Sequence, residues 1–304
     1  MERFYLTFDV TYLPDLSQED MHSLPDDIEL IFTNPNNSQV YFGEKVLSKF
    51  LKLKCLATAS TGTIHIDKDY CAKRGINVIS ITTSYKVLQR ISSTAEMAFL
   101  LTMSAVRNYD QSRRAVDNMK WDYSQFIGRQ INCLTIGVLG FGRLGKMYAQ
   151  YCRAFGAEVL CCDPFKIEDI VSAGYQACDI NHLFEICDVV SLHVHADVHN
   201  LALVSASLIE DISRPFILVN TSRGEVVDEA ALLRAIEKNH QFKYATDVIE
   251  NEHFGLENSR LRYSNRYGSQ IFITPHCGGM TSDARSIAYN HAADLLFQQI
   301  DIDR

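Results

Sequence analysis

The chain alternates short apolar runs with stretches whose apolar residues recur at helical spacing. Over the first eighty residues the pattern predicts strands at FYLTF (4–8), IELIFTN (28–34), LKCLATA (53–59) and INVIS (76–80). Helical spacing falls between them, around Gln18–Leu24 and over GEKVLSKFL and DKDYCAKRG. Such alternation implies βαβ units around a parallel sheet. One long helical pattern, SSTAEMAFLLTMSAVRNYDQSRRAV (92–116), then opens with Ser and Thr as candidate N-caps, and its start marks the first domain boundary. A second alternating block predicts seven strands: LTIGVL, EVLCCD, YQAC, DVVSLHV, FILVNTS, FKYATDV and IFITPH. Helices such as RLGKMYAQYCRAFG and DEAALLRAIEKN lie between them, and the tail SDARSIAYNHAADLLFQQI is one more amphipathic helix. The polar residues of this block are not scattered. Asp163, His193, Arg223, Asp247 and His276 each fall at or just past the carboxyl end of a predicted strand. In an open parallel sheet those ends share one edge, where ligands bind.

Composition narrows the class. The 304 residues are 47% hydrophobic and 22% charged, as in an ordinary globular protein of about two domains. The net charge is −8 and no basic block occurs, which argues against nucleic acid as a partner. No apolar run is long enough to span a bilayer, and MERFYLTFDVTYLPD does not read as a signal peptide. Nine cysteines without a C-x-x-C pair suggest reduced, buried thiols and a cytoplasmic setting.

The segment TIGVLGFGRLGKMYAQ carries Gly140, Gly142 and Gly145 directly between a predicted strand and a helix. In a G-x-G-x-x-G turn the first glycine makes the turn, the second admits a pyrophosphate, and the third lets helix and sheet pack closely. The helix N-terminus would offer the amides of Arg143 and Leu144 to phosphate. The next strand ends in Asp163, whose carboxylate suits ribose hydroxyls and repels a 2′-phosphate, so NAD is expected rather than NADP.

Reducing a 2-oxo acid at C2 requires a cation to hold the carboxylate, a group to polarise the carbonyl, and a proton for the alkoxide. Arg223 in NTSRGEVVDE can do the first two with its planar fork. His276 in TPHCGG can supply the proton, and Glu252 in DVIENEHF can hold the imidazole tautomer, with Glu250 and Glu257 as alternative acids.

ATASTGTIHID, SSTAEMAFLLTMSAVRN, TIGVLGFGRLGK through CCDPF, SLHVHADVHN, LVNTSRGEVVDEAALLRAI, ATDVIENE and ITPHCGGMT together resemble the D-isomer-specific 2-hydroxyacid dehydrogenase family. The likeness runs from about Leu53 to Asp294, and more weakly over the first fifty residues. It implies an α/β protein of two doubly wound parallel-sheet lobes. One is a Rossmann NAD-binding domain over residues 94–280. The other is a smaller, flavodoxin-like substrate domain made of residues 1–93 and 281–304, with the active site in the cleft between the lobes. It implies an NAD-dependent oxidoreductase acting on a small 2-oxo or D-2-hydroxy acid, with Arg223, Glu252 and His276 as the catalytic set. It assigns Thr61 and Gly62, with Arg223 and His276, to the substrate. It assigns Asp163, Pro164, His193, Thr221, Asp247, Gly278 and Thr94, beside the glycine turn, to the cofactor. Family members are usually dimeric through the cofactor lobes, and RRAVDNMKWDYSQFIGRQ, with Trp121, occupies the segment that reaches the partner.

The chain departs from the family pattern at several points. His253 follows Glu252 where proline is usual, Met97 replaces a frequent histidine, Ser60 a frequent glycine and His195 a common proline. The loop NPNNSQ lacks the arginine that some relatives use for a second acidic group. His193, His195 and His199 are not accompanied by a carboxylate or Cys cluster, so no metal is expected. A Cys277–His276 nucleophile pair would leave the dinucleotide motif unused. An NAD-sensing regulatory protein on the same fold is the alternative from another class. A formate-type oxidation fits less well, because that branch usually has glutamine at the Glu252 position.

Overall fold

The computed structural model describes residues 2–33, 40–63, 65–196, 199–252 and 255–302. The chain divides into two units, one running through Ile91 and resuming at Ser282, the other spanning Ser92–Thr281.

The first unit is built on a three-stranded parallel sheet, with β1 (Leu30–Thr33), β2 (Cys55–Thr58) and β3 (Asn77–Ile79) side by side in that order. Successive residues face opposite sides of the sheet, and both sides are covered. Leu56 joins Phe42, Leu47, Phe50 and Cys71 on one side, under the helices Glu44–Leu47 and Lys68–Arg74. Ala57 and Ile79 join Leu296 of the long helix Ser282–Ile302 on the other. Lys68–Arg74 shows why these residues start and stop a helix. Asp67 accepts the Tyr70 N–H at its N-terminus, and Gly75, at φ +68°, turns the chain out of it.

FYLTF is not a strand. Phe4–Thr7 lie in the helix Glu2–Thr7 and Phe8 follows it, its N–H still bonded to the Phe4 carbonyl, so that Phe4 and Phe8 both meet Phe297 at 5.3 and 5.7 Å between ring centres. A helix places residues i and i+4 on one face and leaves Leu6 outside, 82% exposed, which a core strand would not. The predicted helix around Gln18–Leu24 is reduced to a 3-10 turn, Asp20–Ser23. The loop NPNNSQ lies outside the described residues.

The second unit carries all seven predicted strands in one parallel sheet. They are β4 (Thr135–Leu139), β5 (Glu158–Cys162), β6 (Gln176–Ala177), β7 (Val189–Leu192), β8 (Phe216–Asn220), β9 (Phe242–Thr246) and β10 (Ile271–Ile273). Their spatial order is β10-β9-β8-β7-β4-β5-β6, so the winding reverses between β4 and β7. β4, β5 and β7 are apolar almost throughout because both faces are buried. Leu139, Leu160 and Leu192 enter one core, and Val138, Cys161 and Val189 the other.

The long pattern 92–116 is two helices, Ser93–Val106 and Tyr109–Asp117, separated by Asn108 in the left-handed conformation (φ +53°). Asn tolerates that region, and its side chain fixes the break: Nδ2 donates to the Ile127 carbonyl and Oδ1 accepts from Lys243 Nζ. Ser92 stands at the N-cap position but does not cap. Its hydroxyl donates to Glu96 Oε1 at 2.5 Å. Among the described residues, no helix is long and apolar enough to cross a membrane.

Candidate active site

The carboxyl edge of the seven-stranded sheet gathers the polar residues that the sequence pattern singled out. Because the strands are parallel, His276 follows β10, Asp247 β9, Arg223 β8, His193 β7, Gly140 β4 and Asp163 β5, all on one edge. The reversal between β4 and β7 leaves a crevice beside Gly140 and His193, where open α/β sheets bind ligands.

Gly140 adopts φ +95°, which side chains rarely tolerate, and a Cβ there would meet the His193 carbonyl oxygen at 2.6 Å. A Cβ on Gly145 would lie 2.0 Å from the Gly140 oxygen, so the helix Arg143–Ala154 packs directly on the turn. A Cβ on Gly142 would meet nothing within 4 Å, leaving open space at the helix N-terminus, where Arg143 and Leu144 are the first two residues. Asp163 ties the turn to β5: Phe141 N–H donates to its Oδ2 at 2.9 Å and Phe165 N–H to its Oδ1 at 3.1 Å. Pro164 is exposed beside it. Thr221 is buried at the end of β8, and its Oγ1 has no hydrogen-bond partner among the described residues. Open space before a helix N-terminus, an aspartate at the next strand end and an unsatisfied buried hydroxyl together fit a dinucleotide.

His193 donates its backbone N–H to the Leu139 carbonyl, and its Nε2 lies 2.9 Å from Ser191 Oγ. Its ring stacks at a tilt on Tyr148, 4.9 Å away, and burial pushes its pKa down to about 3, so the imidazole stays neutral. His195 and His199 are exposed. Among the described residues no group of His, Cys, Asp and Glu is placed to hold a metal ion.

At the β9–β10 end, His276 Nδ1 and Glu252 Oε1 are 2.8 Å apart, each side chain about one-third exposed (36% and 35%). An ionised carboxylate only accepts, so Nδ1 carries a proton toward it, and Nε2 is the ring nitrogen with no partner among the described residues. Neither Glu250 nor Glu257 pairs with the histidine. Glu250 Oε2 faces Arg260 at 3.8 Å. His253 lies outside the described residues. His276 itself has φ +49°, a costly conformation for a non-glycine residue, and Asp247 holds it there. The buried Asp247 carboxylate accepts from Thr274 Oγ1 (2.5 Å) and Cys277 N–H (3.0 Å) on Oδ1, and from Gly278 N–H (2.7 Å) on Oδ2. Oδ1 is taken up, while Oδ2 accepts from the Gly278 N–H alone, so the open acceptor position, which a cofactor amide would fit, is on Oδ2. Cys277 Sγ faces the same carboxylate at 3.7 Å, and burial and Asp247 raise its pKa, so the thiol is no nucleophile for His276. Gly278 packs on Met97, and Gly279 lies near Thr94 at the start of the helix Ser93–Val106.

Arg223 leaves β8 in an extended conformation. Its Nη1 donates to the Ser222 carbonyl at 2.6 Å, and its other donors take no partner among the described residues. The fully buried Asn220 shapes this loop. Its Oδ1 accepts from Ser222 N–H and Oγ, and its Nδ2 donates to the Arg223 carbonyl. Asn220 is a lone amide ending the apolar run FILVN, a signal that belongs to no motif.

In the first unit, Thr61 and Gly62 lie just beyond β2. Gly62 N–H donates to Ser60 Oγ (3.0 Å), Ser60 N–H to Thr58 Oγ1 (3.2 Å), and Thr82 Oγ1 to the Thr61 carbonyl (2.8 Å). Hydroxyl groups therefore hold the loop, and Ser60 occupies the Gly62 amide.

Residues 99–278 match the model of the D-isomer specific 2-hydroxyacid dehydrogenase, NAD binding domain. The chain is 32% identical over 249 residues to D-3-phosphoglycerate dehydrogenase of Archaeoglobus fulgidus, covering 82% of this chain and 45% of the relative. A Bacillus subtilis protein of the same name is 30% identical over 243 residues, 80% of this chain and 44% of the relative. The chain thus spans about half the length of the curated relatives it matches. Among solved structures, D-lactate dehydrogenase from Aquifex aeolicus, complexed with NAD and lactic acid, superposes with a TM-score of 0.79 at 29% identity, covering 93% of this chain and 86% of that one. The sheet order, the glycine turn and these matches agree, and the chain belongs to the D-isomer specific 2-hydroxyacid dehydrogenase family, with an NAD-binding domain of Rossmann type.

Proposed function

We propose that the chain is an NAD-dependent oxidoreductase interconverting a small 2-oxo acid and its D-2-hydroxy acid. The observation that carries this reading is the 2.8 Å His276–Glu252 pair, set on the same sheet edge as Arg223. Bound NADH supplies the hydride for C2, and NAD⁺ accepts it in the reverse direction. Arg223 holds the substrate carboxylate with its planar fork and polarises the C2 carbonyl. His276, protonated on both nitrogens, gives its Nε2 proton to the forming alkoxide. Glu252 keeps the Nδ1 proton in place and stabilises the imidazolium. Thr61 and Gly62 offer backbone amides to the carboxylate, which requires Ser60 Oγ to release or share the Gly62 N–H.

In the cofactor set, Asp163 takes the ribose hydroxyls and Arg143 and Leu144 the pyrophosphate. Pro164, His193, Thr221, Asp247, Gly278 and Thr94 line the rest. The unit Ser92–Thr281 is read as the cofactor domain and the remainder as the substrate domain. Two chains pair through the cofactor domains. This is supported by the helix Tyr109–Asp117, which buries none of its residues, and by the exposed aromatics after it. Of the nine cysteines, five have pKa values pushed up to about 11 or 12, chiefly by burial, which suits a reducing compartment such as the cytoplasm.

The test is turnover of a panel of 2-oxo acids with NADH, followed by nicotinamide absorbance, with chiral analysis of the product. D-hydroxy acid formed with at least one member supports the reading. Tight NADH binding with no turnover of any member replaces it with the sensing role.

A further inference from the structure

Glu229 is a buried acid that the proposed chemistry does not use. It opens the helix Glu229–Lys238, whose Asp228 cap accepts the Ala230 and Ala231 N–H groups. First-turn acids usually face water and the helix dipole. Glu229 instead points inward and is 1% exposed. Its Oε1 accepts the Glu250 N–H at 2.8 Å, and its Oε2 is buried without a partner among the described residues.

The neighbouring backbone converges on the same place. A Cβ on Gly224 would lie 1.9 Å from the Ile249 carbonyl carbon and 2.1 Å from Glu250 N, so this loop lies directly on the Ile249–Glu250 peptide. Asn251 N–H donates to Glu225 Oε1 at 3.1 Å, Asn251 turns at φ +56°, and Glu252 follows. The segment 223–229 thus begins with Arg223 and ends by bracing the approach to Glu252 at three successive points.

We infer that Glu229 is a positioning residue, whose buried carboxyl group fixes through the Glu250 amide the turn that presents Glu252 to His276. The inference rests on the proposed role of the His276–Glu252 pair. A part-buried N–H that loses its acceptor must find another partner, and the turn reaches one by moving. The charged groups acting on Glu229 are Glu225 and Glu250, which disfavour its ionisation, and Arg260, which favours it.

The test uses the full chain and a D-2-hydroxy acid that it oxidises, with NADH affinity measured separately by fluorescence. Glu229→Gln keeps an acceptor oxygen and is expected to retain kcat within about threefold, with the pH profile unmoved. Glu229→Met removes the acceptor at similar volume. It is expected to lower kcat at least tenfold and to move the acidic limb of oxidation to lower pH, as Glu252→Gln does, while NADH affinity stays within twofold. Combined with Glu252→Gln it should add less than twofold, because both changes break the same contact. If Glu229→Met does not fold, Glu229→Asp, which withdraws the oxygen by one methylene, should show the same limb shift. A Glu229→Met or Glu229→Asp enzyme whose limb stays in place, or whose loss multiplies fully with that of Glu252→Gln, overturns the inference. If Glu252→Gln itself leaves the limb in place, the role of the pair has failed instead, and the two failures are distinct.

Discussion

Glu252 Oε1 lies 2.8 Å from His276 Nδ1, which leaves Nε2 as the ring nitrogen without a partner among the described residues. The pair joins the β9–β10 connection to the turn after β10, and the Asp247 carboxylate holds that turn through Thr274 Oγ1 and the Cys277 and Gly278 N–H groups. His276→Ala should lower kcat by ~10²–10⁴-fold, the usual worth of general acid catalysis. In the oxidation direction His276 must be neutral to accept a proton. Removing the carboxylate makes the imidazolium less favourable, so Glu252→Gln should move the acidic limb of kcat to lower pH. Glu250→Gln should leave that limb in place, since Glu250 faces Arg260 and not the histidine. The opposite pattern in pH–rate profiles would assign the acid to Glu250.

Among the described residues Arg223 is held at its Nη1 and its backbone, which leaves the rest of its fork for a carboxylate. Arg223→Ala should raise KM and lower kcat together, because the guanidinium binds both ground and transition states. Arg223→Lys should recover little, since an ammonium cannot reproduce two parallel bonds. Steady-state kinetics with the best 2-oxo acid from the panel decides it; a Lys variant near wild type would mean that a point charge suffices.

Asp163 accepts the Phe141 and Phe165 amides, and the proposed function adds the ribose hydroxyls to its partners. Asp163→Ala should weaken NADH binding by ~1.5–3 kcal/mol, the value of a hydrogen bond to a charged group. It should also narrow the preference over NADPH, since the charge that repels a 2′-phosphate is gone. Fluorescence titration with both nicotinamides measures this. Equal affinity of the unaltered protein for NADPH would remove the ribose role.

The seven strands of the second unit were legible because a parallel sheet buried on both faces demands unbroken apolar runs. Its chemistry was legible because strand ends share an edge. FYLTF was ambiguous for a physical reason: apolar residues at 4, 6 and 8 satisfy period two, and those at 4 and 8 also satisfy i, i+4. Phe297, nearly three hundred residues away, decided between them. The helix break at Asn108 carried a local signal, an Asn able to turn left-handed, which the longer amphipathic pattern concealed. Glu229 and Asn220 could not be found by motif, because what distinguishes them is burial, and burial is a tertiary property. Ser60 was noticed as a departure, but its bond to the Gly62 amide required coordinates.

The segment after the helix Tyr109–Asp117 leaves Met119 94% and Trp121 92% exposed, with Tyr123 and Ile127 nearly as open. Apolar patches of this kind mark interfaces. Light scattering at micromolar concentration should give twice the chain mass. Trp121→Ser should weaken the dimer by ~2 kcal/mol, about thirtyfold, as expected for a buried aromatic anchor. Trp121 is the chain's one tryptophan, so its emission should shift to the red on dilution of the unaltered protein. A monomer mass with constant emission would remove the interface from this segment.

His193 and Glu229 in the second unit oppose each other in their effect on stability. Burial pushes His193 down from 6.5 to about 3, so its folded form is neutral while the unfolded chain takes up a proton below 6.5. Its contribution is complete above pH 6.5 and is lost as pH falls toward 3. Burial pushes Glu229 up from 4.5 to about 7, so the folded form keeps a proton that the unfolded chain releases above 4.5. Its contribution is complete below pH 4.5 and is lost as pH rises toward 7. Between pH 4.5 and 6.5 the two slopes have opposite signs and nearly cancel. Each alone approaches ~1.4 kcal/mol per pH unit. Glu229→Gln should therefore expose the histidine, and stability relative to the unaltered protein should fall on acidification through this window. His193→Asn should expose the acid, and relative stability should fall as pH rises. Denaturant unfolding followed by circular dichroism at several pH values measures both differences, and carboxylates common to all three proteins drop out of the comparison. Parallel stability curves for the three would mean that neither group is held away from its ordinary ionisation in the folded state.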